Sequence, residues 1–333
     1  MRLAKAPLLK QRVTRNRMLR YKADLRTIGF LAHYTVLVTA LWVWNPSGPI
    51  LYPLVALLCF ASWQAAVIAH NVVHSPVFSR RWANKIFQLW VTCCYGFPIS
   101  EYLPGHNLSH HRYAQRREDV MRTTKVRFKW NLLNVLTFFF VVGPGVTIGN
   151  YHFKKKMQGR IAEWHRQLQL EIAVVWSIKA AALLIDWRKG LLFVILPHLT
   201  AVYGITTVNY LQHEGTDPDH PVNHSRNFMG RLFNWFHVNN GFHGMHHIEP
   251  GLHWSLLREA HAKQLTPTLH PNLEQKSLAV YLFKTFVYPG RRQMFDGTPV
   301  VLPAEDSDRD WVNAAGDTDM TDASEVKGSA AAA

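Results

Sequence analysis

Cysteine is scarce in this chain of 333 residues, and its placement excludes several kinds of site. The three cysteines are Cys59, Cys93 and Cys94, the first inside an apolar run and the other two adjacent. No CxxC pair is present, so a zinc ribbon and a four-cysteine iron–sulfur cluster are excluded. A disulfide framework is not available either, which agrees with a reducing compartment.

Built-in redox cofactor motifs are also missing. No glycine-rich dinucleotide fingerprint follows a strand pattern, and no CxxCH or cytochrome b5-like haem motif is present. The zinc-protease pattern HExxH fails too, because the position of its second histidine after His213-Glu214 holds Asp217. Electrons for any redox reaction must therefore come from a separate carrier.

Acidic residues are few relative to basic ones, with 22 against 37 and a formal net charge of +15. Such an excess can indicate nucleic-acid binding, but here the basic residues flank apolar runs and no nucleic-acid-binding motif is present. We therefore expect no nucleic-acid partner. A membrane surface fits better, since anionic lipids attract such segments at about 1 kcal/mol per basic residue.

Long apolar runs are abundant, and four have the length of a membrane span. A bilayer core of about 30 Å needs roughly 20 helical residues. The runs form two pairs, each joined by a short polar turn, and we predict spans at about 27–44, 50–69, 170–185 and 191–211. Lys179 interrupts the third span and must face protein or snorkel to the surface. The prediction is an all-α integral membrane protein with two transmembrane helical hairpins and a cytoplasmic helical cap, rather than a soluble protein with buried helices.

Charge predicts the orientation and the domain limits. The first 26 residues carry nine Lys or Arg, whereas the loop at 45–49 has none, so the positive-inside rule puts both termini in the cytoplasm, at the inner membrane if the protein is bacterial. We predict a basic cytoplasmic segment at 1–26 and a membrane domain at 27–300. The acidic tail at 301–333 has few large apolar residues and is predicted to be disordered.

Nine histidines form the strongest pattern in the chain. Neutral imidazole is a ligand for iron, zinc or copper, and residues three or four apart share one face of a helix. Three histidine boxes have this spacing: His70 and His74; His106, His110 and His111; and His243, His246 and His247. One further histidine, His213, lies outside the boxes, four residues after Asn209. Nine nitrogens exceed what one ion can bind, so the count predicts two ions.

The boxes follow the spans in a regular way. The first box comes directly after the second predicted span and His213 directly after the fourth, with each remaining box about thirty residues later. All would share one membrane face only if the apolar segment 131–149 does not cross. We therefore predict that 131–149 is interfacial or re-entrant and is broken at Gly143-Pro144-Gly145. The segment 86–99 is too short to cross.

This arrangement resembles the integral-membrane fatty acid desaturase superfamily, whose relatives include alkane hydroxylases and carotenoid hydroxylases and ketolases. The resemblance covers about residues 28–290 and includes the segment from Asn240 to Pro250 around the third box. It implies that all nine histidines hold two irons and that Asn209 reaches one iron through a water. It also implies O2 as co-substrate and a ferredoxin or cytochrome b5-like electron donor with its reductase.

The reaction that we predict is O2-dependent desaturation of a fatty acyl chain carried as a CoA ester, on a carrier protein or in a phospholipid. A di-iron hydroxylase or ketolase acting on an alkane, lipid or carotenoid is the alternative, because both reactions begin by abstracting hydrogen. The element from Asn209 to His213 also resembles alkane hydroxylases. A non-catalytic membrane metal-binding protein is a third interpretation, but transport would place ligands near the bilayer midplane.

Each ligand histidine needs a partner that orients its ring. Five acidic residues near the boxes are candidates: Glu101, Asp119, Glu214, Asp217 and Glu249. The other ten histidines have no box spacing and are interpreted as surface or core residues. Among them, His237 and His253 flank the third box and are candidates for a supporting role.

Overall fold

The structure is a computed structural model that describes residues 18–305 and 307–315. It is mostly helical, with almost no strands. In chain order the α-helices are α1 (Asp24–Trp44), α2 (Leu51–Val72), α3 (Arg81–Tyr95), α4 (Ile99–Leu103), α5 (His111–Tyr113), α6 (Asn131–Lys156), α7 (Ala162–Ile185), α8 (Trp187–Lys189), α9 (Leu196–His213), α10 (Arg231–Phe236), α11 (His243–Ile248), α12 (Leu257–Gln264) and α13 (Leu278–Leu282).

Tighter and wider turns occur between these helices. The 3-10 turns are Gly48–Ile50, Thr123–Lys125, Trp254–Leu256 and Pro271–Leu273, and the π-helical segments are Pro104–His110, Gly190–Ile195 and Phe283–Val287. Two short strands, β1 (Asn227–Phe228) and β2 (Glu274–Gln275), pair in parallel.

Within the described residues, five helical stretches are long and apolar enough to cross a membrane: Asp24–Trp44, Gly48–Val72, Asn131–Lys156, Ala162–Ile185 and Trp187–His213. Four of them contain the predicted spans. The fifth is α6, which runs unbroken through Gly143, Pro144 and Gly145, so the predicted break there is wrong. Proline removes one backbone hydrogen bond, but in apolar surroundings a continuous helix still satisfies the other backbone groups. The segment 86–99 falls mostly in α3, which is not among the five stretches.

The chain divides into two compact units. The first, called the bundle unit, comprises the described residues 18–103 and 157–205. The second, called the histidine unit, comprises residues 104–156, 206–305 and 307–315.

The bundle unit consists of helices that pack on their neighbours in sequence and on the later helix α7. Helix α1 packs on α2, α2 on α3, and α3 and α4 on α7. Helix α3 ends at Gly96, which adopts a left-handed conformation with φ +85°. A side chain could not fit there, because a Cβ on Gly96 would lie 2.0 Å from Cγ of His198. The close approach lets His198 and Lys179 reach the end of α3.

The histidine unit has its own apolar core. Phe138 of α6, Tyr210 and Leu211 of α9, Phe228 of β1 and Phe286 are buried together. Tyr210 also donates a hydrogen bond of 2.8 Å to Asn131 at the start of α6. This core anchors α9 one turn before His213 and β1 shortly before the third box, so it positions two of the elements that carry histidines.

The first part of the acidic tail differs from the predicted disorder. Trp311 is 3% exposed and stacks on Phe153 of α6 with ring centroids 5.9 Å apart. Nζ of Lys156 donates to the carbonyls of Val312, Asn313 and Ala315. Apolar contact and capped carbonyls therefore order residues 307–315, which we call the C-terminal strap. Residues 316–333 and most of the predicted 1–26 segment lie outside the described residues.

Candidate metal centre

The second box lies at a change of helix type. Pro104–His110 is π-helical and α5 begins at His111. A π-helix is hydrogen-bonded between residues five apart, so such residues are neighbours across one turn, whereas in an α-helix they would point to different sides. Nε2 of His106 and Nε2 of His111 lie 3.1 Å apart as a result. His110 faces elsewhere, so the second box is divided between two groups of histidines.

The third box is divided in the same manner by the α-helix α11. His243 and His247, four residues apart, bring their Nε2 atoms to 3.1 Å. Gly244 between them allows a close approach, since a Cβ there would lie 2.9 Å from Cδ2 of Leu265, and its N–H donates to Asn227. His246 points to a different set of histidines.

Three histidines of the histidine unit form one cluster, called centre A: His106, His111 and His246. His111 is its middle member, with its Nε2 3.1 Å from Nε2 of His106 and 3.1 Å from Nε2 of His246. His106 and His246 are 5% and 4% exposed. Centre A therefore combines the outer members of the second box with one member of the third.

Four further histidines form centre B: His110, His213, His243 and His247. The Nε2 atoms of His213, His243 and His247 make a triangle with sides of 2.9, 3.1 and 3.1 Å. The His110 ring lies 4.8 Å from the His213 ring and 5.0 Å from the His247 ring, centroid to centroid. The rings of His111 and His247 stack at 4.3 Å, so the two centres adjoin.

Two of the rings are oriented from behind by groups that only accept hydrogen bonds. Nδ1 of His110 donates to Asp119 at 2.9 Å, and Nδ1 of His213 donates to the carbonyl of His224 at 3.3 Å. In a neutral imidazole whose Nδ1 carries the proton, Nε2 keeps its lone pair. Both rings therefore present a free lone pair to centre B, as a metal ligand must.

Asp119 is itself held firmly. It is fully buried, and its carboxylate accepts hydrogen bonds from the backbone N–H groups of Gln115 and Met121, each at 2.8 Å. Burial alone would raise the pKa of Asp119, but His110 and these hydrogen bonds outweigh it, so the pKa lies below the usual range. The carboxylate stays ionised and fixes the ring of His110.

Of the five acidic candidates, Asp119 forms a direct hydrogen bond to a box histidine. Glu214 follows His213 in sequence but forms a buried ion pair with Arg292 instead. Arg292 also donates to the carbonyls of Val126 and Thr123. This network and the carbonyl of His224 were missed by the sequence analysis, because nothing in their spacing links them to a box.

The donor set of centre B fits a metal ion. Nε2 of His110 is buried and has no hydrogen-bond partner within the described residues. Burial and the neighbouring rings lower the pKa of His247 well below its usual value, so that ring is neutral. Two nitrogens at right angles on one ion, each at about 2.1 Å, lie about 3.0 Å apart, which is the side of the triangle.

The first box lies in the bundle unit, at the end of α2. Its rings are 5.7 Å apart between centroids, and Nδ1 of His70 lies 3.3 Å from Oδ1 of Asn71. Asn209 lies in α9, one turn before His213, and its amide donates to the carbonyl of Met121 at 3.3 Å. The ligand roles of His70 and His74, and the water-mediated role of Asn209, stay predictions.

The two flanking histidines have other partners. Nδ1 of His237 lies 3.0 Å from the carbonyl of Phe233, and Nδ1 of His253 lies 2.8 Å from Oγ of Ser255. Neither is part of centre A or centre B. Burial lowers the pKa of His237 to about 4, against the hydrogen bond to Phe233, so this ring is neutral as well.

Comparison with known families gives one result for this chain. The family model described as Fatty acid desaturase matches residues 44–276. The matched region contains all three boxes, His213 and Asn209. No curated protein matches the chain.

Proposed function

The chain belongs to the fatty acid desaturase family, and from that premise we propose that it is a membrane oxidoreductase that inserts a double bond into a fatty acyl chain. The observation that carries the proposal is the convergence of Nε2 atoms in centres A and B at 2.9–3.1 Å. Two adjoining histidine clusters are what a pair of metal ions requires, and we infer that the ions are iron.

The proposed ligand set contains the eight box histidines and His213. The seven in centres A and B would hold two irons, with His70 and His74 as further ligands and Asn209 acting through a water. The irons would supply oxygen activation, which removal of hydrogen from an unactivated methylene requires and no side chain provides. O2 is the co-substrate in this proposal.

The protein's own contribution is to prepare the ligands. Asp119 and the carbonyl of His224 fix the tautomers of His110 and His213, so that no rearrangement is needed on binding. His213 and His243, each 2% exposed, lie away from water. A ligand set of neutral imidazoles, with no carboxylate in either centre, leaves the positive charge of the ions uncompensated.

The membrane topology that we propose has four crossings and a helix, α6, that lies along the membrane. Between His111 and His243 are three of the five apolar stretches, yet His111 and His246 have their Nε2 atoms 3.1 Å apart. Three crossings would separate them, so at least one stretch does not cross. Near the middle of α6, a Cβ on Gly145 would lie 3.1 Å from Nζ of Lys125 and from Oδ2 of Asp308. Such charges are costly in the bilayer core, which favours α6 as the stretch that does not cross.

The opposite side of α6 is apolar and open. Leu133, Leu136 and Phe140 are 38%, 47% and 67% exposed and lie on one face of the helix. We propose that this face contacts lipid while both centres lie on the cytoplasmic side, as the basic flanks of the apolar runs predict. The substrate would be an acyl chain on CoA, on a carrier protein or in a phospholipid. The electron donor would be a ferredoxin or a cytochrome b5-like protein with its reductase.

The test is to express the full chain in a membrane host and to profile acyl chains by mass spectrometry, with iron measured on the purified protein. We expect a new double bond, which disappears in His110→Ala and His246→Ala and persists in His152→Ala, a change at an exposed histidine of α6. An added oxygen in the product would assign the hydroxylase reaction instead. Full activity in His110→Ala and His246→Ala would overturn the metal assignment.

A further inference from the structure

The C-terminal strap lies against the loop that carries Asp119, the residue that orients His110. Its Asp308 forms an ion pair with Arg122 and another, at 2.9 Å, with Lys125. The side chains of Arg122 and Lys125 are only 1% and 10% exposed, and that of Asp308 is 38% exposed, so both cations lie on the protein side of the contact. Two largely buried cations share this one carboxylate, which indicates a specific contact between the strap and the loop.

Both cations hold the backbone on either side of Asp119. Arg122 donates from Nη1 to the carbonyl of Asp119 at 3.2 Å and to that of Arg117 at 3.4 Å. Lys125 donates from Nζ to the carbonyl of Val120 at 3.1 Å. Asp308 thus compensates the charges of Arg122 and Lys125 and holds both side chains in place. Together these two side chains donate hydrogen bonds to the backbone carbonyls of residues 117, 119 and 120.

The strap is anchored independently at its other end. Trp311 occupies a notch on α6 at Gly149, where a Cβ would lie 2.9 Å from Nε1 and 3.1 Å from Cζ2 of Trp311. Lys156 caps three strap carbonyls one turn beyond Phe153. At the near end the N–H of Arg309 donates to the carbonyl of Arg117 at 2.9 Å. The strap therefore ties the Asp119 loop to α6.

We infer that the C-terminal strap is a positioning element of the metal centre, in which Asp308 and Trp311 hold the loop 115–126 so that Asp119 fixes the ring of His110. The inference rests on the proposed metal centre. It assigns a role to a segment whose acidic composition predicts only disorder. Loss of a residue that hydrogen-bonds to a metal ligand typically lowers metal affinity by about 10–100-fold. The strap acts on Asp119 rather than on His110 itself, so we expect its loss to lower metal affinity by about threefold to tenfold.

The sharpest test uses two glycines of the same helix. Gly149→Ala places a methyl group against Trp311, whereas Gly143→Ala meets nothing within 4 Å. Alanine favours the helix over glycine by about 1 kcal/mol in both cases, so a weakened α6 cannot explain a difference between them. Trp311→Ala and Asp308→Asn break the two contacts from the side of the strap, and Asp308→Glu restores the carboxylate.

Two measurements on the full-length purified protein are compared. The first is hydrogen–deuterium exchange of residues 115–126 in chelator-treated protein, and the second is the iron retained per chain under a chelator challenge. We expect faster exchange and about threefold to tenfold weaker retention in Gly149→Ala, Trp311→Ala and Asp308→Asn. Gly143→Ala is expected to have wild-type exchange and wild-type iron retention. Asp308→Glu, which keeps a carboxylate, should have values much closer to the wild type than Asp308→Asn.

Wild-type exchange and wild-type retention in both Gly149→Ala and Asp308→Asn would overturn the inference. His110→Ala separates this failure from a failure of the proposed function. If His110→Ala keeps its iron, the metal assignment fails, and the exchange of loop 115–126 still decides whether the strap positions it. If His110→Ala loses its iron while the strap variants keep theirs, only the strap inference fails.

Discussion

Two buried groups of polar side chains, one in each unit, use histidine in opposite ways. In the histidine unit, the Nε2 atoms of box histidines face one another at 2.9–3.1 Å. In the bundle unit, His198 lies 3.0 Å from the hydroxyl of Tyr34 and 3.1 Å from the carbonyl of Cys93. Both groups are buried, so burial alone does not mark a metal site. Convergence of nitrogens on one another does.

The bundle-unit group has a structural explanation. The last carbonyls of a helix have no partner within it, and in apolar surroundings another group must satisfy them. Lys179 donates to the carbonyl of Gly96 at 2.7 Å, just past the end of α3, and its Nζ lies over the ring of Phe97 at 4.4 Å. Lys179 therefore faces protein, which is one of the two outcomes that the sequence allowed.

The largest expected difference between the two groups is in metal binding. His110→Ala should lower metal affinity by more than about 100-fold. The reason is that removing a residue that only hydrogen-bonds to a metal ligand already lowers metal affinity by about 10–100-fold. His198→Ala should keep the metal-to-protein ratio and lower stability by about 1–3 kcal/mol, since two buried groups lose a partner. Metal analysis and thermal unfolding of both variants check this. Metal loss in His198→Ala would break the comparison.

The next effect concerns stability in the bundle unit. Gly96→Ala should destabilise the protein by about 3 kcal/mol, because a left-handed alanine is strained and its Cβ would overlap His198. Gly48 also has a positive φ, of +70°, but nothing lies within 4 Å of its Cβ position. Gly48→Ala should therefore cost only about 1 kcal/mol. Equal unfolding temperatures for the two variants would show that contact with His198 does not matter.

A smaller effect is expected behind the ligands. Asp119→Asn keeps an oxygen near Nδ1 of His110 but removes the charge, and should weaken metal retention by about tenfold. Asp296→Asn, a change at an exposed carboxylate of the same unit, should have no effect. Competition with a chelator of known affinity measures both. An Asp119→Asn variant that holds metal like the wild type would contradict the orienting role.

The smallest expected effect is on the pH dependence of stability and concerns His237. This residue lies in the histidine unit but, like His198, it lies against a backbone carbonyl. Its pKa in the folded protein is lowered from 6.5 to about 4, so the neutral ring contributes stability that is present above pH 6.5 and is lost as the pH falls toward 4. Between pH 7 and pH 5 the loss is at most about 2 kcal/mol. His237→Gln should unfold with a weaker pH dependence in this range, while His152→Gln, at an exposed site of the same unit, should match the wild type.

Much of the site could be predicted from the sequence, and the predictions that failed did so for identifiable physical reasons. The spacing of the boxes predicted six of the seven histidines of centres A and B, and the position of His213 after the fourth span predicted the seventh. The proximity of Asp119 to the second box made it a candidate. The assignment of each histidine to a centre was not predictable, because it depends on the π-helical segment Pro104–His110 and no spacing rule foretells a π-helix. Glu214 was a wrong candidate because Arg292, 78 residues away in sequence, pairs with it.

For the fold too, some features could be predicted from the sequence and others could not. Apolar length predicted the helices that contain the four spans, but the continuity of α6 through Pro144 and the order of the strap did not follow from local composition. Trp311 in an acidic segment was a signal for the strap, yet its notch at Gly149 exists only in the folded helix.

The amino-acid sequence by itself determined that this is a helical membrane protein with nine histidines at ligand spacing, because hydrophobic length and helical periodicity are local properties. Only the tertiary structure decided which nitrogens meet, which carboxylate orients a ring and how the tail packs. Those depend on contacts between residues far apart in the chain, such as His111 with His246 and Asp308 with Arg122.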